Sequence, residues 1–282
     1  MAKNNIRMRA GIRWTIGNPS RNGWEALRFS ISGAWNLFGA DADYAVSMNG
    51  VPIEQAQALA GDLPCAVQWR DCSGDLPPFL QMHMSPGMAD GAGWKFAPLR
   101  LFPDQPELSL DNDCILWELP PALRDWLNQP AAGERCLLME DVAPAFGKFS
   151  HLCGSIPLNT GIRGFPPGWD FGRALREVLA ANPVILETEQ DEQGLGVAAL
   201  TLTSEPFKVR CDEVTICSPF PPHVTNLGTC GAHFVGLNAK QIPWDLQGRP
   251  ATDYIAENWA NYRAEIRRKV AMGSGNQSDS RK

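Results

Sequence analysis

The chain has 282 residues and a net charge of −6, with 44% hydrophobic and 20% charged residues. This is the composition of a globular protein with a sizeable core. It offers no basic patch that would favour nucleic acid or an anionic membrane as a partner. The sequence has no apolar run of transmembrane length and no secretion signal, and its eight cysteines lack regular spacing. We therefore expect a cytoplasmic protein with reduced thiols.

The first seventy residues alternate strand and helix patterns. Apolar residues recur at helical spacing from Gly23 to Phe38, and PIEQAQALAG starts with Pro and ends with Gly, as short helices do. The predicted strands are AGIRWTIG, DYAVSMN and PCAVQW. This βαβαβ order predicts an α/β fold with a mainly parallel sheet and helices packed on its faces.

A Gly- and Pro-rich segment from Cys72 to Gly93 is predicted to be a long loop that can cover a site. A helix is expected from Lys95 to Leu101, and another irregular segment from Ala143 to Gly172. The closing helix is expected to begin at Thr252. The other predicted helices are PALRDWLNQ and FGRALREVLAA, and the other predicted strands are VAALTLTS and EVTICS. We predict one domain over residues 1–272 and a disordered tail over residues 273–282.

The stretch ELSLDNDCILW places Asp111 and Asp113 inside an otherwise apolar run. Charge is costly to bury without a partner. The two carboxylates follow a predicted strand, at the edge of an open α/β sheet where ligands bind. Oxygens on alternate residues suit Mn²⁺ or Mg²⁺. The alternative is an Asx turn that ends the strand.

The stretch GAHFVGLNAKQIPW carries His233, which lies between Gly231 and Gly236, and Lys240, which follows both glycines. An imidazole and an ammonium on such a loop can approach phosphates. Taken alone, His233 is more simply interpreted as a core histidine and Lys240 as a solvated loop lysine.

Together these segments resemble the nucleotide-sugar glycosyltransferases of the GT-A fold, most closely glycosyltransferase family 8. The matching motifs occur in the family's order between about Ile12 and Trp244. Lys95 precedes the LDND motif. After it come LNTG, then DEQGL, and then HFVG with a later Lys and Pro-Trp. The resemblance implies a GT-A fold with a mixed, mainly parallel sheet flanked by helices.

The resemblance also implies a role for each matching residue. Asp111, Asp113 and His233 would bind Mn²⁺ or Mg²⁺, and Asp191 and Gln193 would lie nearest the anomeric carbon. A bound cation and an ammonium would stabilise the leaving diphosphate. The residues implied in donor binding are Lys95, Asn159, Gly161, Gly236 and Lys240.

This chain departs from the family pattern at three places. Glu192 separates Asp191 from Gln193, and two residues separate Lys240 from Pro243. The segment IGNPSRNGW replaces the family's base-binding Thr/Asp/Tyr pattern after the first strand.

The predicted function is metal-dependent transfer of a sugar, with retention, from a nucleotide-sugar donor. UDP is the expected nucleotide, and the acceptor class is a glycan or a lipid-linked saccharide. Two alternatives remain open: a non-catalytic protein that binds sugar nucleotides or glycans, and a metal-dependent phosphoester hydrolase.

Overall fold

The computed structural model describes residues 9–89, 91–129 and 134–274. It contains twelve strands in these ranges: β1 Ala10–Ile16, β2 Ala42–Met48, β3 Gln68–Asp71, β4 Glu107–Leu110, β5 Cys114–Leu116, β6 Leu137–Glu140, β7 Leu158–Phe165, β8 Phe207–Val209, β9 Val214–Ile216, β10 Gly231–His233, β11 Asp245–Leu246 and β12 Arg249–Pro250.

Eight α-helices lie in the same ranges: α1 Arg21–Phe38, α2 Ile53–Ala60, α3 Pro78–Gln81, α4 Pro86–Ala89, α5 Pro121–Leu127, α6 Phe171–Ala181, α7 Glu189–Leu200 and α8 Ala251–Ser274. Single 3₁₀ turns cover Gly39–Asp41, Ala92–Phe96 and Gly147–Phe149.

The central sheet has seven strands in the order β3-β2-β1-β4-β7-β6-β8. Strands β3, β2, β1 and β4 are parallel to one another, β7 runs antiparallel to both β4 and β6, and β8 is parallel to β6. The predicted mixed, mainly parallel sheet flanked by helices is thus confirmed.

A second sheet places β10 between β5 and β9. Strand β10 is antiparallel to β5, with His233 opposite Cys114, and parallel to β9. Because β5 begins directly after Asp113, this pairing brings the end of β10 to the turn that follows β4.

One face of the central sheet is apolar. Ile12, Trp14 and Ile16 of β1 pack there with Leu27 and Ile31 of α1 in the largest buried cluster. Side chains alternate between the two faces of a strand, and on the other face β1 carries Arg13, which is fully buried. The predicted amphipathic helix is α1, and Ser20 caps it by accepting a hydrogen bond from the Gly23 N–H at 3.1 Å.

The segment after β3 differs from the prediction. The strand expected over PCAVQW occurs at Gln68–Asp71 instead, and the segment from Cys72 to Gly93 contains the short helices α3 and α4. In place of a helix over Lys95–Leu101, the chain forms the 3₁₀ turn Ala92–Phe96. Pro98, which has no backbone N–H to continue a helix, follows that turn closely.

Two further predictions were wrong in the second half of the chain. The Gly- and Pro-rich segment Ala143–Gly172 contains β7, whose eight residues are all buried. The segment VAALTLTS was predicted as a strand, yet its first four residues belong to α7. Thr188 starts that helix with a capping box. Most of α7 is buried, which hides the helical period in its sequence.

Helix α8 carries the predicted apolar face, with Ile255, Trp259, Ile266 and Val270 buried. It ends at Ser274, so the first two residues of the predicted tail are helical, and residues 275–282 lie outside the described ranges. In the described part of the chain, the helices are too short or too polar to cross a membrane.

Candidate functional site

The structure brings Asp111, Asp113 and His233 together. One ligand atom from each lies within 4.8 Å of the others. The His233 Nε2 is 3.6 Å from Asp111 Oδ2 and 3.3 Å from Asp113 Oδ1. The side chains of His233 and Asp113 are each 4% exposed, and that of Asp111 is 15% exposed. This is the convergence that the sequence predicted.

The turn after β4 explains why carboxylates stand inside an apolar segment. The Asp111 N–H donates to the Gly161 carbonyl oxygen at 2.9 Å, and the Cys114 N–H closes the turn on the Asp111 carbonyl oxygen at 2.9 Å. The Phe234 N–H donates to the Asp113 carbonyl oxygen at 2.9 Å. The backbone is therefore satisfied on both sides, and the carboxylates are held at the carboxyl edge of the sheet.

The three side chains fit a hard divalent cation. Bonds of about 2.1 Å in an octahedron separate neighbouring ligands by about 3 Å and opposite ligands by about 4.2 Å. The observed separations are close to these values and need small side-chain movements. Two carboxylates with one imidazole make a donor set for a divalent cation.

Lys95 and Glu192 extend the cluster. The Lys95 Nζ is 2.8 Å from Asp111 Oδ2 and 3.5 Å from Glu192 Oε2. Burial raises the pKa of Asp111, but Lys95 and His233 outweigh it and hold this pKa below its usual value. Burial lowers the pKa of Lys95, but the carboxylates of Asp111 and Glu192 outweigh this effect and hold the pKa above its usual value. The pKa of Glu192, a side chain with 2% exposure, is raised by burial.

The carboxylate of Asp191 accepts hydrogen bonds from backbone N–H groups. Its Oδ1 accepts from the Lys148 N–H at 2.9 Å, and its Oδ2 accepts from the N–H groups of Glu187 and Thr188 at 2.9 and 3.1 Å. Oδ2 thus caps the start of α7, and Oδ1 ties that start to the 3₁₀ turn Gly147–Phe149. The carboxylate beside Lys95 belongs to Glu192, which follows Asp191 in the sequence.

Gln193 follows on the same helix. Its Nε2 donates to the Ala145 carbonyl oxygen at 3.1 Å, and the side chain is half-buried. Glu192 and Gln193 form an adjacent carboxylate–amide pair. The sequence signal for Glu192 was its position directly before Gln193, and it was overlooked because the motif was matched to Asp191.

Asn159 and Gly161 support the site from β7. A Cβ on Gly161 would lie 2.4 Å from His233 Cε1, so only glycine leaves room for the ring there. The Gly161 N–H donates to Asn159 Oδ1 at 2.7 Å, and Asn159 Nδ2 donates to Asp141 Oδ2 at 2.9 Å.

Asp141 and His223 continue this chain of contacts and were not predicted. His223 Nε2 lies 3.7 Å from Asp141 Oδ1. The neighbouring Asp141 carboxylate raises the pKa of His223. Burial raises the pKa of Asp141, but the His223 ring and the hydrogen bond from Asn159 bring it below its usual value. Nothing in the local sequence marks these residues.

Asn238 also was not predicted. Its Nδ2 donates to Asp113 Oδ2 at 3.1 Å, and it exchanges hydrogen bonds with the amide of Asn112 at 2.7 and 2.9 Å. These amides are 126 positions apart in the sequence, so only the fold pairs them. The pair ties the loop after β10 to the turn that carries the carboxylates.

Gly236 and Lys240 lie on that loop. Gly236 has φ +82, a conformation that glycine adopts without strain. Lys240 is exposed and lines a groove of about 760 Å³ on the α1 side, together with Arg21, Arg28 and Arg263. It follows Asn238 by two residues, a span of at most about 7 Å. The structure therefore places Lys240 near the cluster but outside it.

No known protein family and no curated protein matches the sequence. Solved structures match the fold. The galactosyltransferase LgtC, in complex with donor and acceptor sugar analogues, aligns with a TM-score of 0.51 at 11% identity over 90% of this chain and 99% of its own. The bifunctional glycosyltransferase WbbM, in its apo form, aligns with a TM-score of 0.52 at 15% identity over 93% of this chain and 52% of its own.

Mouse xyloside xylosyltransferase 1, also in its apo form, has a TM-score of 0.50 at 12% identity over 82% of this chain and 99% of its own. At these identities the similarity concerns the fold. The expected GT-A architecture is confirmed.

Proposed function

We propose that this protein is a metal-dependent glycosyltransferase that uses a nucleotide-sugar donor. The observation that carries the proposal is the convergence of Asp111, Asp113 and His233 at the carboxyl end of β4, in a fold shared with glycosyltransferases. The activity is assigned to one domain over residues 1–272. Retention of the anomeric configuration, UDP as the nucleotide, a glycan or lipid-linked acceptor and a cytoplasmic location belong to the same proposal.

Each group of the site has a part in this reaction. Asp111, Asp113 and His233 would hold Mn²⁺ or Mg²⁺, which when bound supplies positive charge to a leaving diphosphate. Lys95 and Glu192 stand beside Asp111, and an ammonium and a carboxylate there would donate to and accept from sugar hydroxyls. These opposite charges fix the orientation of a neutral, hydroxyl-rich ring.

Lys240 would complete diphosphate binding from the other side. Its loop is anchored to Asp113 through Asn238, which keeps Lys240 close to the cluster. Lys240→Ala should weaken donor binding about ten- to a hundredfold and leave the melting temperature of the free protein unchanged. Lys208→Ala, which removes an ammonium paired with the exposed Glu205, is the matched control.

The test is turnover of UDP-, GDP-, CMP- and dTDP-sugars with Mn²⁺ and a panel of glycan acceptors, with NMR analysis of the product anomer. We expect a metal-dependent glycoside with the donor's configuration, absent with Asp113→Asn. Release of nucleotide without glycoside would favour the hydrolase, and donor binding without turnover would favour the non-catalytic protein. Absence of donor binding by the wild type would refute the proposal.

A further inference from the structure

The groove of about 760 Å³ on the α1 side is lined by positive charge. Its cationic side chains are Arg21, Arg28, Lys240 and Arg263. Among the residues that the structure describes, none of these four charged groups has an ion pair or a hydrogen bond. The whole chain has a net charge of −6, so the groove is a local feature that the net charge does not show. Unpaired cations gathered in a groove of an acidic protein indicate an anionic ligand.

The groove contains one carboxylate, and that carboxylate has partners elsewhere. Glu25 is the one acidic residue among the described residues that line it. The Glu25 Oε2 accepts a hydrogen bond from Trp259 Nε1 at 2.9 Å, and its Oε1 lies 3.7 Å from a guanidinium nitrogen of Arg267. Both carboxylate oxygens therefore have partners on α8, and positive charge stays in excess in the groove.

The cations are spread along the groove. Arg21 and Arg28 lie at positions i and i+7 of α1, two turns apart on one face of that helix. At about 1.5 Å of rise per residue, they are separated by about 10 Å along the helix axis. Arg263 lines the groove from α8, which packs beside α1. Cations at this spacing match a ligand that carries several anionic groups along its length.

The rest of the lining suits a saccharide. Ala58 and Leu59, which is 44% exposed, present apolar surface from the last turn of α2. The C–H faces of sugar rings pack against such surface. Asn18 and Asn22 also line the groove, and their amides can donate to and accept from sugar hydroxyls. A bare polyphosphate would use neither the apolar surface nor the pairing of amides with hydroxyls.

The groove adjoins the metal-binding cluster. Asn22 lines the groove, and the carbonyl oxygen of the next residue, Gly23, accepts a hydrogen bond from Asn112 Nδ2 at 3.0 Å. Asn112 lies between the two aspartates of the cluster. Lys240, the proposed diphosphate ligand, also lines the groove. A saccharide bound along the groove therefore lies close to the proposed site of sugar transfer.

We propose that this groove binds the acceptor, and that the acceptor is a saccharide with several carboxylate or phosphate groups. The inference rests on the proposed function, because it takes the ligand to be the acceptor of sugar transfer. The guanidinium groups pair with the anionic substituents, which offer two oxygens to one planar fork. The amides and the apolar side chains contact the sugar rings between these substituents. Because the groove is open to solvent, added salt weakens the binding.

The test of the ligand class is calorimetric titration, without metal or donor, of a heparin tetrasaccharide, which carries carboxylate and sulfate groups. Maltotetraose is the neutral saccharide of equal length, and inorganic tripolyphosphate is the anion without a sugar. The wild type should bind the heparin tetrasaccharide more tightly than either of them. The double variant Arg21→Gln/Arg263→Gln should bind it about ten- to a hundredfold more weakly. Arg268→Gln, an exposed change on α8 outside the groove lining, is the matched control and should bind as the wild type does.

Steady-state kinetics test the role of the groove in transfer. For anionic acceptors that the wild type turns over, the double variant should have a higher KM and the same kcat. Both arginines are exposed, so the melting temperature of the free protein should be unchanged. If the double variant does not fold, each single substitution should still weaken binding of the heparin tetrasaccharide, by about tenfold.

The outcomes separate this inference from the proposed function. A wild type that does not bind the heparin tetrasaccharide, or that binds maltotetraose equally well, would overturn the anionic groove. So would equal affinities of the wild type and the arginine variants. Tripolyphosphate bound as tightly as the heparin tetrasaccharide would overturn the assignment to a saccharide, and an unchanged KM for anionic acceptors would overturn the acceptor role. The titrations contain no metal and no donor, so they leave the proposed function to its own test of donor binding.

Discussion

Lys95→Met separates metal binding from donor binding, because the ammonium stands next to a carboxylate that a cation needs. Lys95 Nζ is 2.8 Å from Asp111 Oδ2 and 3.5 Å from Glu192 Oε2. In the free protein the ammonium therefore competes with a divalent ion for Asp111. When a donor binds, the same ammonium is available to the sugar. The substitution should affect the two ligands in opposite directions.

Coulomb's law sets the size of the first effect. A single and a double positive charge about 5 Å apart repel by about 1.7 kcal/mol in water and about 6.6 kcal/mol at an effective dielectric constant of about 20. Lys95 is 28% exposed and can swing away from an incoming ion, so the lower value applies. About 1.7 kcal/mol corresponds to roughly fifteen- to twentyfold tighter binding of Mn²⁺ to the variant.

The assay is a titration of Mn²⁺ without nucleotide, followed by the electron paramagnetic resonance signal of the free ion. A calorimetric titration of the donor with Mn²⁺ saturating should show weaker binding by the variant. Lys208→Met, in an exposed ion pair with Glu205, is the matched control and should bind Mn²⁺ as the wild type does. Unchanged or weaker Mn²⁺ binding by Lys95→Met would refute the competition between the ammonium and the ion.

Three further predictions concern the support of the site. Asp191→Ala should lower the free energy of unfolding by about 1–2 kcal/mol, because a helix cap is lost. Guanidinium chloride unfolding measures this, and an unchanged midpoint would contradict the capping role. Gly161→Ala should weaken Mn²⁺ binding at least tenfold, because its Cβ would press on the His233 ring; wild-type affinity in the same titration would show that the ring adapts. His223→Gln should lower the melting temperature more at pH 5 than at pH 8.5. The pKa of His223 is raised in the folded state, so the ion pair with Asp141 contributes below pH of about 6.5 and is lost as the pH rises through the folded pKa. An equal effect at both pH values would contradict the ion pair.

The sequence predicted the half of the fold in which periodicity is visible. The amphipathic helix α1 and the closing helix α8 carry clear patterns because each buries one face. The missed strand β7 and the misassigned end of α7 lie where burial surrounds the chain. Strand β7 is buried along its whole length, and α7 packs so closely that a Cβ on Gly194 would lie 2.0 Å from the Phe146 carbonyl oxygen. Such segments lack an alternation or a helical period to read.

The site was predictable to the extent that motifs keep their order. The convergence of Asp111, Asp113 and His233 was predicted because each residue lies in a short sequence pattern. Asn238 and His223 were missed because their partners, Asn112 and Asp141, are brought to them only by tertiary pairing. In the structure Asp191 caps α7 and Glu192 faces Lys95. A motif match does not tell which of these two neighbouring carboxylates takes which position.

The most direct measurement for the central claim is anomalous diffraction at the manganese edge, from crystals grown with Mn²⁺ and the nucleoside diphosphate that binds best. We predict one strong peak bonded to carboxylate oxygens of Asp111 and Asp113 and to Nε2 of His233, with phosphate oxygens completing the octahedron. Crystals that contain the nucleotide but show no peak between these three side chains would contradict the account.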